Sequence, residues 1–211
     1  MTLPAPTDTT PPTGTEGPST VTPAASEPPP RRHTARWVGV TVLVVAAGLI
    51  AVLATRPPAT VTEVQSPLVG TQAPSVRGLT VDGAPFALAE APGHYVVLNF
   101  FASWCIPCQL EGPELVTFEF QHRQAGTPSV VSVVFQDTTS SALAYQRKIG
   151  VTWPTMADPT NAIALAWGVR EDPTSFLIAP DGRVVASIVG GVTAKGLDHL
   201  VARAEAHGYG R

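Results

Sequence analysis

Cys105 and Cys108 are the only cysteines among 211 residues, and they stand three apart in the string Ala102-Ser103-Trp104-Cys105-Ile106-Pro107-Cys108. Positions i and i+3 of a helix share a face, close enough for two sulfurs to bond. The string lies where an apolar run ends and a helical pattern begins. Cys105 therefore falls at a helix amino terminus, where unpaired N–H groups and the helix dipole favour a thiolate. Pro107 occupies the first turn, where its missing N–H does no harm. Such a pair suits redox chemistry. Half of a zinc site would need two more thiolate or imidazole ligands, and His94, His122, His199 and His207 have no ligand spacing. A static disulfide over three residues closes so small a loop that it stabilises little. Neither a metal nor a cofactor is expected.

Elements that would hold the pair can be read on both sides of it. Ser75–Thr80 and Phe86–Leu88 flank Asp82-Gly83, a hairpin signal. Tyr95–Phe101 is a nearly continuous apolar strand of the kind buried on both faces. A helix follows from Cys105 to about Gln124, with a kink expected at Pro113. Ser129–Phe135 reads as a second buried strand. Ser141–Ile149 and Asn161–Trp167 read as helices closed by Gly150 and Gly168. Thr174–Ala179 and Arg183–Val189 flank Pro180-Asp181-Gly182 as a second hairpin, and an amphipathic helix runs from Thr193 to His207. Strands alternating with helices give parallel pairs and the closing hairpin adds antiparallel ones, an α/β layered domain.

The amino-terminal part differs in kind. Of 22 prolines, 9 fall within residues 1–30, with little besides Leu3 and Val21 to bury. Such a stretch cannot offset an ordering cost of roughly 1–2 kcal/mol per residue, so 1–36 reads as a disordered Pro/Thr-rich tail with a basic end, Arg31, Arg32, His33 and Arg36. Residues 37–55 are uncharged and apolar with no polar face, long enough as a helix to span roughly 28 Å. The basic cluster holds the amino terminus in the cytoplasm, and Trp37 sits at the interface. Residues 37–55 are expected to cross the lipid bilayer once, 56–68 to be a tether and 69–211 the globular domain, outside. Cleavage near Val52-Leu53-Ala54, giving a secreted domain, is the alternative. A net charge of −3 argues against nucleic acid as a partner.

Residues 69–207 resemble the TlpA/ResA-like thioredoxins, membrane-tethered extracytoplasmic thiol–disulfide oxidoreductases. The matching pieces are Val96–Cys108 with Glu111 and Pro113, the segment Gly168–Ile178, and Pro180-Asp181-Gly182-Arg183-Val184. The resemblance implies a thioredoxin fold with an N-terminal β-hairpin extension and an inserted βα element. It implies that Cys105 is the exposed nucleophile and Cys108 the buried resolving thiol, joined as a redox disulfide, so that a mixed disulfide at Cys105 is released by Cys108. Trp104, Ile106 and Pro107 would contact the partner, although Trp104 could equally be core. A cis bond between Asp172 and Pro173 would lie opposite Cys105, with the Asp172 backbone pairing with an extended partner and Thr174 beside it. Gly190 and Gly191 would form a third loop around the disulfide, or be a plain bulge.

Cytoplasmic thioredoxins carry a buried aspartate six residues before the nucleophile, where this chain has Asn99. Asparagine cannot take a proton from Cys108, and the resemblance offers Glu111 instead, one turn beyond it; a solvated first-turn carboxylate is the plainer reading. A carboxylate at Asp172 should raise the Cys105 pKa. The resemblance further implies a reductant of cysteine-containing extracytoplasmic proteins, apocytochrome c among them, with electrons from a membrane thiol donor. An oxidant remains open, since Ile106-Pro107 does not settle direction. A peroxidase would place its cysteine in Thr-x-x-Cys, and a copper carrier would need Cys-x-x-x-Cys with a nearby histidine.

Overall fold

The computed structural model describes residues 33–54, 62–89, 92–123 and 129–209, with the side chains of its first helix described from Trp37 to Ala51. The chain divides into two compact units, Met1–Arg56 and Pro57–Arg211. In the first unit the described residues form one helix, α1 (His33–Ala54), on which Trp37, Leu43 and Ile50 are exposed. Most of the tail read over 1–36, and Thr55, lie outside the described residues. Among the described residues no helix is long and apolar enough to cross a membrane, so the span read over 37–55 is not shown.

The second unit opens with the expected hairpin, β1 (Arg77–Leu79) and β2 (Pro85–Ala87), paired antiparallel around Asp82-Gly83. Then come β3 (Val96–Phe101), α2 (Ile106–His122), β4 (Ser129–Val134), α3 (Thr139–Ile149), β5 (Thr155–Met156), α4 (Ala162–Ala166), β6 (Thr174–Ile178), β7 (Val184–Val189) and α5 (Ala194–Ala206). The five-stranded sheet has the order β5-β4-β3-β6-β7. β3, β4 and β5 run parallel, while β6 and β7 are antiparallel to their neighbours. This is a mixed-sheet thioredoxin fold.

Period-two alternation sorts the core onto the two faces of the sheet. Val96, Leu98 and Phe100 of β3 join Val131, Val133, Trp167 and Phe176 on one face. Val97 joins Leu115 and Phe118 of α2 and Leu197 and Leu200 of α5 on the other. Asn99 follows Val97 by two residues, so it points toward α2, and that parity decides its partner.

Two expectations change. β5 was not read from the sequence, because two residues, Thr155 and Met156, are too few for a periodic signal; they are strand by virtue of pairing with Ser132 and Val133. The helix expected across Pro113 is present as α2, with Pro113 inside it; its expected end at Gln124 lies outside the described residues. The tether read over 56–68 is in its second half part of the fold. Glu63 bridges Ile188 antiparallel, and the Val64 N–H donates to the Ser187 carbonyl at 2.8 Å. On the opposite edge Thr80 bridges Met156, with the Val81 N–H on the Thr155 carbonyl at 2.9 Å. One amino-terminal segment thus covers both edges of the sheet, where open strands would invite pairing with other chains.

Candidate active site

Cys105 is the N-cap of α2, with φ −74° and ψ 115°, and its Sγ accepts the Cys108 N–H at 3.2 Å. The two cysteines form a disulfide with a Cα–Cα separation of 5.2 Å. Once the disulfide is reduced, that N–H and the helix terminus stabilise negative charge on Cys105. The preceding turn is held both by the helix itself and by the turn after β4. Asp137 Oδ2 accepts the Ser103 N–H at 2.7 Å, Gln109 Nε2 donates to the Ser103 carbonyl at 2.7 Å, and Trp104 Nε1 donates to the Gln136 carbonyl at 3.1 Å.

Cys105 differs from its expected exposure. In the disulfide it is only 5 % exposed, against 2 % for Cys108, because Phe101, Ala102, Val134 and Ala142 pack around both. Its remaining access is a cleft of about 530 Å³, with Trp104, Ile106 and Pro107 on one wall and Phe135, Arg170 and Asp172 on the other. Trp104 is not core: it is 60 % exposed, as is most of Ile106. The Asp172–Pro173 peptide is cis. Among the described residues no main-chain hydrogen bond engages the N–H or C=O of Asp172, which leaves both for an added strand.

Gly190 and Gly191 come to the same place. The Gly190 N–H donates to the Pro173 carbonyl at 2.9 Å with a φ of +91° that favours glycine, and a Cβ on Gly191 would lie 3.9 Å from the Pro107 carbonyl oxygen. Thr174 does not join them. It is buried, its hydroxyl donates to the Glu171 carbonyl at 2.7 Å, and it lines a separate cleft with Trp167 and Phe176. As the first residue of β6, its pleat sends the side chain away from Cys105.

Glu111 is not a solvated first-turn carboxylate. It is 3 % exposed, and its oxygens accept Asn99 Nδ2 at 2.7 Å and the Val192 N–H at 3.1 Å. Burial pushes its carboxyl up to about 7; the two hydrogen bonds pull it down, and Asp172 adds a smaller upward push. Glu111 and Cys108 line one small cavity with Asn99, Ser132 and Tyr145. Asn99 therefore holds the Glu111 carboxyl, and its Nδ2 also donates to the hydroxyl of Ser175, its cross-strand partner, at 3.1 Å.

Ser175, Asp137 and Tyr145 escaped the sequence reading, since only strand register and helix packing bring them in. Tyr145 donates to the Cys108 carbonyl at 3.2 Å. A Cβ on Gly112 would stand 2.2 Å from its hydroxyl and 2.8 Å from Ile149 Cδ1. Gly112→Ala is expected to destabilise the fold by about 1–3 kcal/mol through overpacking, read as a lower urea midpoint with an unchanged slope.

Asp172 is half-buried beside Cys105, and its carboxyl is raised to about 7, by burial first and by Asp137 second. Above that pH its charge opposes a thiolate at Cys105. Asp172→Ala is expected to lower the Cys105 thiol pKa, followed by thiolate ultraviolet absorbance; an unchanged titration would contradict the electrostatic coupling.

A disulfide at a helix amino terminus, a cis-proline loop facing it and a buried acid behind its inner sulfur define a thioredoxin-fold thiol–disulfide oxidoreductase. Residues 69–187 match the AhpC/TSA family, and the chain belongs to that family. It is 34 % identical over 142 residues to the thiol:disulfide interchange protein HelX of Rhodobacter capsulatus, covering 64 % of this chain and 78 % of that one. To the thiol-disulfide oxidoreductase ResA of Bacillus subtilis it is 29 % identical over 124 residues, covering 59 % and 69 %. Among solved structures, a thioredoxin-family thiol:disulfide interchange protein from Chlorobium tepidum TLS superposes with a TM-score of 0.58 at 30 % identity, over 67 % of this chain and 99 % of that one.

Proposed function

We propose that the protein is a membrane-anchored reductant of disulfides in cysteine-containing extracytoplasmic proteins, apocytochrome c among them, drawing electrons from a membrane thiol donor. The observation that carries the direction is the placement of two carboxyl groups, Glu111 behind Cys108 and Asp172 beside Cys105. Carboxylates oppose thiolates, and a dithiol whose thiolate is poorly stabilised gives up its electrons readily; strong oxidants of this chemistry owe their power to the opposite condition. The domain equilibrated with glutathione is expected to show a potential near −270 mV. A value at the oxidising end, near −120 mV, would replace the reductant by an oxidant.

Anchoring rests on the uncharged run from Trp37 within α1 and on the basic cluster Arg31, Arg32, His33 and Arg36 before it. Full-length protein in native membranes should resist alkaline extraction while the domain is cut by protease added outside. Recovery of a shortened soluble chain would favour signal cleavage. Peroxide turnover should be negligible beside disulfide exchange, because Ala102, not threonine, stands three residues before Cys105.

A further inference from the structure

Resting on that reading, we propose that the Asp172 side chain selects the partner, favouring cysteines flanked by a cationic residue, lysine or arginine. Three other acidic side chains of the domain have both oxygens engaged. Glu111 takes Asn99 and Val192, Asp137 takes Ser103 and Thr138, and Asp158 takes the N–H groups of Ala162 and Ala164. Asp172 differs, because its Oδ1 is buried and accepts no hydrogen bond. A carboxylate so placed costs free energy until a donor meets it.

Its place in the fold determines what that donor can be. Asp172 stands in the wall of the cleft into which Cys105 opens, one residue before the cis-proline, with its own N–H and C=O unengaged among the described residues. A partner strand laid against those main-chain groups, with its cysteine at Cys105, brings a residue flanking that cysteine to the Asp172 carboxyl. Trp104, Ile106, Pro107 and Phe135 line the cleft beside Cys105, and Gln136, Arg170 and Glu171 line it with Asp172, so two acidic side chains face one basic one and a cationic flank is attracted where an acidic one is repelled.

The charged groups facing Asp172 are Asp137 from the turn after β4, Glu111 from α2, and Arg170 and Glu171 from its own loop. Asp137 and Glu111 both push against an anion at Asp172, and a bound lysine or arginine relieves that repulsion. A cationic partner therefore binds with release of a proton from Asp172 near neutral pH, whereas an acidic flank must meet it protonated.

The test uses full-length protein in detergent, reduced, against short disulfide-bonded peptides identical except for Lys, Ala or Glu flanking the cysteine. Exchange is followed by tryptophan fluorescence, and each rate is divided by that of the same peptide with dithiothreitol, which removes the peptide's intrinsic reactivity. The normalised Lys-to-Glu ratio is expected to be about tenfold, and smaller at high salt. Because the ratio is taken within each variant, changes in overall rate or folded fraction cancel. Asp172→Asn should bring it to within about twofold of unity, and Asp172→Lys should invert it, whereas Glu171→Gln should keep it. A ratio that survives Asp172→Asn, or is lost with Glu171→Gln alone, overturns the assignment. If the reduced protein exchanges with none of the peptides, the oxidoreductase reading beneath it fails too. Exchange with all three at equal normalised rates removes only the selectivity.

Discussion

Cys108→Ser is expected to lower turnover on the order of a thousandfold while a partner accumulates covalently on Cys105. On the proposed reaction the reduced protein begins with the Cys105 thiolate attacking a partner disulfide; that S–S bond breaks, and one partner sulfur leaves with the electron pair. Cys108, as thiolate, then attacks Cys105 Sγ. The mixed disulfide breaks, the second partner sulfur leaves, and the intramolecular disulfide forms, so two electrons have passed to the partner. Serine has no thiolate for the second attack, and Cys108 is too buried to be replaced by a thiol from solution. The adduct should appear on non-reducing gels of native membranes and vanish with dithiothreitol. No adduct in Cys108→Ser, or an equal adduct in Cys105→Ser, would remove the division of labour between the two sulfurs.

Glu111→Gln is expected to slow the resolving step by about a hundredfold and to erase the inflection near neutral pH from its rate profile. Cys108 must lose its proton to attack, and the carboxyl sharing its cavity can take that proton only when ionised, so the wild-type rate climbs through about 7. Stability runs the other way. The folded-state pKa is raised above the unfolded 4.5, so the neutral acid is the form the fold prefers. Its contribution is fully present below 4.5 and is lost as pH rises to about 7, a swing on the order of 3 kcal/mol. The variant should show a flatter stability profile over that window, measured by urea unfolding. A variant that keeps the kinetic inflection would assign it to another group, with Asp172 next in line.

The opposed demands explain why Glu111 is held so firmly. In the proposed role the acid works when charged, in a place that disfavours charge, and the Asn99 amide and the Val192 N–H pull its ionisation back toward lower pH. An aspartate at position 99 would repel Glu111 across the same 2.7 Å contact.

Much of this was already legible in the residues. The spacing of Cys105 and Cys108, the strand before them and the helix after them are local properties, carried by i,i+3 geometry and by apolar periodicity, and they determined the chemistry without any tertiary information. The hairpins at Asp82-Gly83 and Pro180-Asp181-Gly182 and the stop at Gly150, with its φ of +79°, are equally local. Other features depended on parts of the chain meeting. β5 exists because β4 pairs with it, and residues 62–64 belong to the fold because β7 offers an edge. Thr174 was lost from the site because strand pleat, not sequence proximity to Pro173, decides where a side chain points. Asn99 and Glu111 lie twelve residues apart, and only the common face of β3 and α2 makes one the holder of the other. The unengaged Oδ1 of Asp172 is likewise a fact of burial. Spacing along a chain fixes which atoms can react; burial and register, which arise only when distant segments pack, fix how strongly each is charged and what it can reach.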